Sequence, residues 1–461
     1  MKTKIHYKWT IILLAPIVAI CAAIMMAGKG FESPAYITVF VTIVCALWWI
    51  FEPVPIPVTS LLPLSLFPLF GVLTPNQVGQ SYGSPLILLL LGGFILSQAM
   101  QKSGTHKRLA LAMVNVFGGT HSKSLVLGFM VTSAFLSMWI SNTATTLMLL
   151  PVAMAILQQH PSQRLHAPLL LGIAYAASVG GIGTPIGTPP NIVFMQIYEQ
   201  NTSHDISFVD WMKFSVPLVI IFIPLIWLWL TRNLKHEEDI KLPPVGQWSI
   251  AQKRVLLVFA LTALAWITRQ EPFGGWSALL SLPAASDASV ALLAVVVMFL
   301  VPDGKGSQLL DWKTAEKIPW GILLLFGSGI TIATAFKQTG LSEHIGHILT
   351  QYVGVHYFIL IIIICLAVSF LTEITSNTAT TVLLLPILAA TALASEIDPR
   401  LLMVPATMSA SCAFMLPVAT APNAIVFGSD LISIKRMMRE GFILNFVGAC
   451  IISTICYYTF C

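Results

Sequence analysis

The sequence predicts an all-α polytopic membrane protein with about eleven transmembrane helices plus two re-entrant hairpins, on three observations. Hydrophobic residues fill 56% of the 461 positions and charged residues only 9%, against roughly a quarter charged in ordinary globular chains. Apolar runs approaching the roughly 20 residues that cross a bilayer recur from one end to the other. A polar motif set inside such runs occurs twice, 235 residues apart. Lipid absorbs apolar surface that a water-facing exterior could not. It also leaves unpaired backbone groups without water, which forces helices there. The short alternating segments of a transmembrane β-barrel are not seen.

In chain order, the first span is 9–27. Lys2, Lys4 and Lys8 precede it as in a signal peptide, but its apolar part runs about 19 residues, beyond the 7–15 of a signal core. Further apolar runs follow at 35–51, 85–100, 214–230, 255–268, 289–301, 357–370 and 442–460. The Pro-rich stretch 52–57 (EPVPIP) reads as a rigid turn. Residues 125–157 are too long for one span and too short for two, with Ser-Asn-Thr at the middle, so they read as a hairpin returning to its own side. A second hairpin falls at about 357–394. Each hairpin precedes an interrupted helix, at about 167–200 and about 401–430. In 180–190 (GGIGTPIGTPP) every Pro removes a donor, and Pro with Gly breaks the helical ladder. The second interruption, 417–422, reads as shorter. The chain thus divides into N-terminal scaffold helices (1–82), a first inverted repeat (83–211), linking scaffold helices with a cytosolic loop (212–317), a second repeat (318–440) and a C-terminal helix (441–461).

Lys and Arg gather on the cytoplasmic side of membrane proteins. With an inside N-terminus and both hairpins in place, the inside loops are 1–9, 52–56, 102–123, 158–166, 231–254, 302–317 and 430–440. They hold all but five of the 24 basic residues, the five being Lys29, Lys213, Arg269, Lys337 and Arg400. The C-terminus is then outside. The net charge of +5 follows this bias and does not point to nucleic acid. The seven Cys form no CxxC and sit mostly in apolar stretches, as small buried hydrophobes.

The repeat carries the functional reading. SNTATTLMLLP at 141–151 returns as SNTATTVLLLP at 376–386, and Phe135-Leu136-Ser137 upstream answers Phe370-Leu371-Thr372. Downstream, GTPPNIVF (187–194) answers ATAPNAIVF (419–427), with Asn191 and Asn423 in register. Gly93 and Gly104 match Gly329 and Gly340. An odd number of crossings between the copies lets one hairpin enter from each side, so that their tips meet near the midplane. Freed carbonyls with Ser, Thr and Asn oxygens suit Na⁺, a hard cation. Helices restarting after Asn142, Asn377, Pro190 and Pro422 present positive N-terminal ends to carboxylates. No Arg or Lys lies in either repeat core, so an anion with two charges there requires cations to enter with it.

The paired SNT hairpins and the stretch 411–426 resemble the divalent-anion:sodium symporter family, and within it the bacterial INDY-type dicarboxylate carriers, over essentially the whole chain. The resemblance implies a homodimer in the inner membrane, with a transport domain sliding as an elevator against a scaffold. It implies C4-dicarboxylates (succinate, malate, fumarate) as substrate, sodium as the co-transported ion and no organic cofactor. By motif, Asn142, Thr143, Asn377 and Thr378 would touch the two carboxylates, with Ser141, Ser376, Thr188, Pro189, Thr420 and Pro422 beside them. One sodium site would use Ser137, Ser141, Asn142 and Gly187. The other would use Thr372, Thr375, Asn377 and Ala419.

Blander readings stand beside these. An isolated Ser or Thr in a membrane helix usually bonds back to the preceding turn, but a duplicated SNT with matching breaks argues for a site. Glu373 is the one carboxylate at hairpin depth, with Met138 as its counterpart; it is either a functional acid or a brace for the second hairpin. Glu52 and Glu199 read as interfacial. All ten His fall in loops or at their borders, which argues against a buried His relay, and His344 with His347 reads as a solvated turn rather than a metal pair. Lys235–Lys241 reads as a solvated link. A sodium-independent dicarboxylate exchanger and a sulfate symporter of the same family are the alternative functions. An intramembrane enzyme is the remote one, because Ser141 and Ser376 have no His partner at membrane depth.

Overall fold

The computed structural model describes residues 2–117, 121–159, 163–234, 246–270, 274–344 and 356–461. Helix dominates, and no strand forms among the described residues. Nine helices there are long and apolar enough to cross a membrane, and five shorter apolar helices accompany them.

The chain begins with α1 (Lys2–Gly28) and α2 (Ser33–Phe51), an antiparallel pair in which α1 is the most peripheral span. Glu52 takes a left-handed conformation (φ 45°) and turns the chain through the Pro-rich stretch into α3 (Ile56–Thr59) and α4 (Leu62–Leu69). Next come α5 (Pro75–Tyr82), α6 (Pro85–Ser103) and α7 (Thr105–Phe117). The expected loop 102–123 therefore contains a helix. Its His106 is buried and hydrogen bonds the Met100 carbonyl through Nδ1 at 2.8 Å.

The first hairpin is α8 (Ser122–Ser137) and α9 (Asn142–Gln159), followed by α10 (His166–Ile182) and α11 (Pro189–Thr202). Then come α12 (Phe208–Thr231), α13 (Ile250–Ile267), α14 (Gly275–Leu279), α15 (Asp287–Leu300), α16 (Trp312–Ala315) and α17 (Trp320–Gln338). The second copy is the hairpin α18 (Tyr357–Thr372) and α19 (Asn377–Ala394), with α20 (Arg400–Ala410) and α21 (Ala421–Phe427). The long α22 (Ile434–Phe460) closes the chain. The repeat reaches even to helix ends: Gly104 and Gly340 follow α6 and α17 with φ of 70° and 71°, the left-handed geometry that ends a helix without a Cβ penalty.

Packing sorts these helices into two bodies. The hairpins and interrupted helices gather with α12 and α22, while α1–α6 and α13–α17 pack among themselves. Close helix approach serves both bodies: Gly180 of α10 lies against the Ala134 backbone of α8, and Gly92 of α6 lies against Ala291 of α15. This grouping by packing differs from the division by chain order in the place of α12, set there among the linking scaffold helices. It packs on α8, α10 and α22 because the first interruption frees carbonyls that α12 satisfies. Trp211 Nε1 donates to Ile182 O at 2.7 Å and Ser215 Oγ donates to Gly183 O at 3.1 Å.

The second interruption is a further correction. It runs from 411 to 420 and is longer than the first, 183–188, although its prolines sit only at its end. The cause is Glu373, 4% exposed, whose carboxylate accepts N–H bonds from Phe414 (2.8 Å), Met415 (2.9 Å) and Leu416 (3.0 Å). A side chain has replaced the ladder acceptors, so the helix unwinds before any proline. Lys235–Lys241 and His347 lie outside the described residues; His344 packs edge-on to Phe31 at 4.8 Å.

Candidate functional site

The two hairpin tips are built alike. In each, four residues (138–141 and 373–376) separate the arms, and Ser141 and Ser376 stand at the N-cap position. Asn142 and Asn377 are therefore the first helical residues, so each helix restarts at its asparagine rather than after it. Ala144 N donates to Ser141 Oγ at 3.2 Å, tying down one orphan donor of the new helix.

Behind each tip a hydroxyl fixes the asparagine. Ser137 Oγ donates to Asn142 Oδ1 at 2.6 Å, and Thr372 Oγ1 donates to Asn377 Oδ1 at 2.7 Å. With Oδ1 held, each Nδ2 group is turned to donate elsewhere. Thr146 and Thr381 hydroxyls bond back to the carbonyls of Asn142 and Asn377, the usual partner of a threonine inside a membrane helix.

The interrupted helices are pinned by a matched pair. Asn191 Nδ2 donates to Gly181 O (2.9 Å) and Thr184 O (2.7 Å), while Asn423 Nδ2 donates to Ala413 O (3.0 Å) and Leu416 O (3.0 Å). Each bridges carbonyls ten and seven residues upstream, so the two asparagines pin both breaks in the same way. Thr420 Oγ1 caps α21 by accepting from Asn423 N at 3.3 Å, while Thr188 caps α11 without a side-chain bond.

All of this meets in one cavity of about 880 Å³. Ser141, Asn142, Thr143, Gly187, Thr188 and Pro189 line it from the first repeat. Thr375, Ser376, Asn377, Thr378, Ala419, Thr420 and Pro422 line it from the second. Ser137 and Thr372 are fully buried one layer back, where they orient the asparagines. Thr375 is a special case: its hydroxyl bonds Leu371 O (2.8 Å) and Thr380 Oγ1 (2.6 Å) and so is engaged inside the hairpin.

Sequence reasoning missed part of the site. From α6 the cavity receives Ser97, Gln98 and Gln101, and Glu52 and Lys317 also line it. None of these belongs to the repeated motif, so no internal comparison could find them. Gly181 was also hidden: a Cβ there would lie 2.6 Å from Asn142 Oδ1 and 3.2 Å from both Asn142 Nδ2 and Gly187 O, so the Asn142 amide and the Gly187 carbonyl converge on a place that only glycine leaves open. Glu373 braces the second break, and Asn445 Nδ2 of α22 adds a fourth donor to its carboxylate at 2.8 Å. Among the described residues no three His, Cys, Asp or Glu side chains gather as a metal site.

The site can accept hard cations on oxygens and anions on amide N–H groups, and its described residues present no nucleophile with a base. Residues 46–404 match the family model described as citrate transporter. The sodium-dependent dicarboxylate transporter SdcS of Staphylococcus aureus is 39% identical, aligning over 97% of this chain and 90% of that one. Two solved structures share the fold at low identity. The YdaH transporter of Alcanivorax borkumensis has a TM-score of 0.62 at 14% identity, covering 86% of this chain and 90% of that one. MtrF of Neisseria gonorrhoeae has a TM-score of 0.57 at 15%, covering 85% and 84%. With a family model spanning most of the chain and a relative aligned end to end, the chain is a membrane transporter rather than an enzyme, and it belongs to the divalent-anion:sodium symporter family.

Proposed function

We propose that this chain imports C4-dicarboxylates such as succinate, malate or fumarate together with sodium, as a secondary active symporter of the inner membrane. The observation that carries the reading is that two equivalent SNT tips line one cavity with no Arg or Lys on either tip. Each Asn amide, with Thr143 or Thr378 beside it, offers donors to one carboxylate. A dianion held there meets no cationic side chain on the tips, Lys317 lying at the other end of the cavity, so sodium ions supply the countercharge.

One sodium ion is held by Ser137, Ser141, Asn142 and Gly187, of which Asn142 Oδ1 and Gly187 O lie together beside Gly181 and Ser137 bonds Asn142. The other is held by Thr372, Thr375, Asn377 and Ala419. Thr375 contributes its backbone carbonyl there, since its hydroxyl is already engaged. Ser137 and Thr372 hold Asn142 and Asn377 with Oδ1 toward the sodium sites and Nδ2 free for substrate, so each asparagine serves both ligands, which couples them. Ser141, Ser376, Thr188, Pro189, Thr420 and Pro422 shape the walls.

The cavity runs from the tips to Glu52 and Lys317. These lie on the face that carries most basic loops, the cytoplasmic face by charge bias, with the N-terminus inside and the C-terminus outside. This is then the inward-open state of an elevator. The body of hairpins, interrupted helices, α12 and α22 slides against a scaffold of eleven-span topology, paired as a homodimer. The name of the Staphylococcus aureus relative, a sodium-dependent dicarboxylate transporter, supports the same reading.

The test is labelled succinate uptake into proteoliposomes with and without an inward sodium gradient, with citrate and sulfate as competitors. Sodium-driven uptake lost in Asn142→Ala and in Asn377→Ala supports the symporter and both halves of the site. Uptake that ignores sodium but needs dicarboxylate preloaded inside would make it an exchanger and sink the sodium ligands. Displacement by sulfate alone would overturn the substrate class.

A further inference from the structure

Outside the large cavity, α12 and α22 leave a groove of about 310 Å³. Leu225, Leu228 and Trp229 of α12 line it with Leu444 and Val447 of α22, and Arg232 stands at one end. Leu228 is 53% exposed, so the groove opens toward the lipid.

At the Arg232 end three guanidiniums gather on one buried carboxylate. Glu440, 1% exposed, lies 2.8 Å from Arg232, 3.2 Å from Arg439 and 3.4 Å from Arg436. One pair would neutralise Glu440. The other two arginines leave an excess of two positive charges at the edge of the apolar belt, and their side chains are 40% and 67% exposed. Arg232 itself is held over the Trp229 ring at 3.7 Å. Trp229 lines the groove, and its indole N–H is buried without an acceptor among the described residues. The site therefore offers excess positive charge at one end and an apolar channel beyond.

A soluble anion would satisfy the first feature only. We propose that this groove binds an anionic glycerophospholipid of the inner leaflet. Its phosphate rests on Arg436 and Arg439, and an acyl chain lies against Leu228 and Val447. The site is coupled to the transport machinery through α22. Gly441, next to Glu440, abuts the backbone of Phe414, and Asn445 one turn on donates to Glu373 at 2.8 Å. A headgroup ordering the start of α22 thus steadies the second interruption.

Native mass spectrometry of the purified full chain in detergent, with added phosphatidylglycerol or phosphatidylcholine, tests this directly. It reads bound mass, so its result is independent of what the chain transports. The expected result is retained phosphatidylglycerol and little phosphatidylcholine. Arg439→Gln should lower retention about fivefold, and Arg436→Gln with Arg439→Gln roughly thirtyfold, taking a typical strength for a basic residue near an anionic surface. Arg232 remains in both variants to neutralise Glu440. Val447→Phe, which fills the groove without touching charge, should also release the lipid. Equal retention of phosphatidylcholine, or unchanged retention in the double variant, would overturn the proposal. So would displacement by inorganic phosphate, which would mean that charge alone is read, or a change of oligomeric mass in Val447→Phe, which would make the groove a subunit interface.

Discussion

At the scale of single residues, the site depends on side chains whose work is to hold other side chains. Ser137 and Thr372 never reach the cavity, yet they decide which end of Asn142 and Asn377 faces it. Gly181 acts by lacking a side chain. Gly181→Ala would set a methyl 2.6 Å from Asn142 Oδ1, inside any cation coordination shell at that point. The expected outcome is loss of sodium-driven uptake with a melting temperature within a few degrees of the parent, since only the tip must shift. Uptake assayed over a sodium titration checks it. An unchanged sodium requirement would remove Gly187 and Asn142 from the sodium ligands.

At the scale of elements, the two interruptions show how one asymmetric residue reshapes a repeated motif. The matched Asn191 and Asn423 would by themselves yield two similar breaks. Glu373, whose counterpart is Met138, adds an acceptor for three consecutive backbone N–H groups and extends the second break to ten residues, 411–420. Glu373→Gln keeps the volume but turns an amide NH₂ toward groups that are already donors. At least one buried N–H then lacks a partner, a loss of about 1–3 kcal/mol. A lower thermal transition and faster amide exchange at 414–416 are expected, with reduced uptake. An unchanged transition would show that the carboxylate is not what holds the segment open.

Away from the lipid, Lys102 Nζ and Asp311 Oδ2 pair at 2.7 Å, tying the end of α6 to the start of α16. The Lys102 hydrogen bond, with the Thr314 N–H, draws the Asp311 carboxyl down to about 2. A depressed carboxylate contributes above its unfolded value and loses that contribution as pH falls toward about 2, so this tie persists at neutral pH. Both side chains are partly exposed, which keeps its weight small.

At the scale of the whole molecule, α12 and α22 join the hairpin body although neither belongs to the repeated motif, and the cavity lies between that body and α2, α6 and α17. The inward-open state proposed above makes a directional prediction. Ala144→Cys, on the cavity wall and in a background lacking the native cysteines, should react with a membrane-impermeant thiol reagent in inside-out vesicles and be protected in right-side-out ones. The reverse pattern would turn the orientation over.

The sequence alone determined the features that arise from local chemistry and from solvent. Its apolar length and low charge require helices in lipid. The duplicated SNT motifs, with Asn191 and Asn423 in register, identify two tips and two interruptions, because a helix breaks where its own residues remove donors. The candidate residues Asn142, Thr143, Asn377 and Thr378 were legible for the same reason. The features that only the tertiary structure decided depend on groups distant in the chain. The carbonyls freed at Ile182 and Gly183 draw in α12, Glu373 lengthens a break some forty residues away, and Gln98, Gln101, Glu52 and Lys317 complete the cavity from helices without the motif. An unpaired backbone group in a dry interior takes whichever partner the packing brings, and no local pattern names that partner in advance.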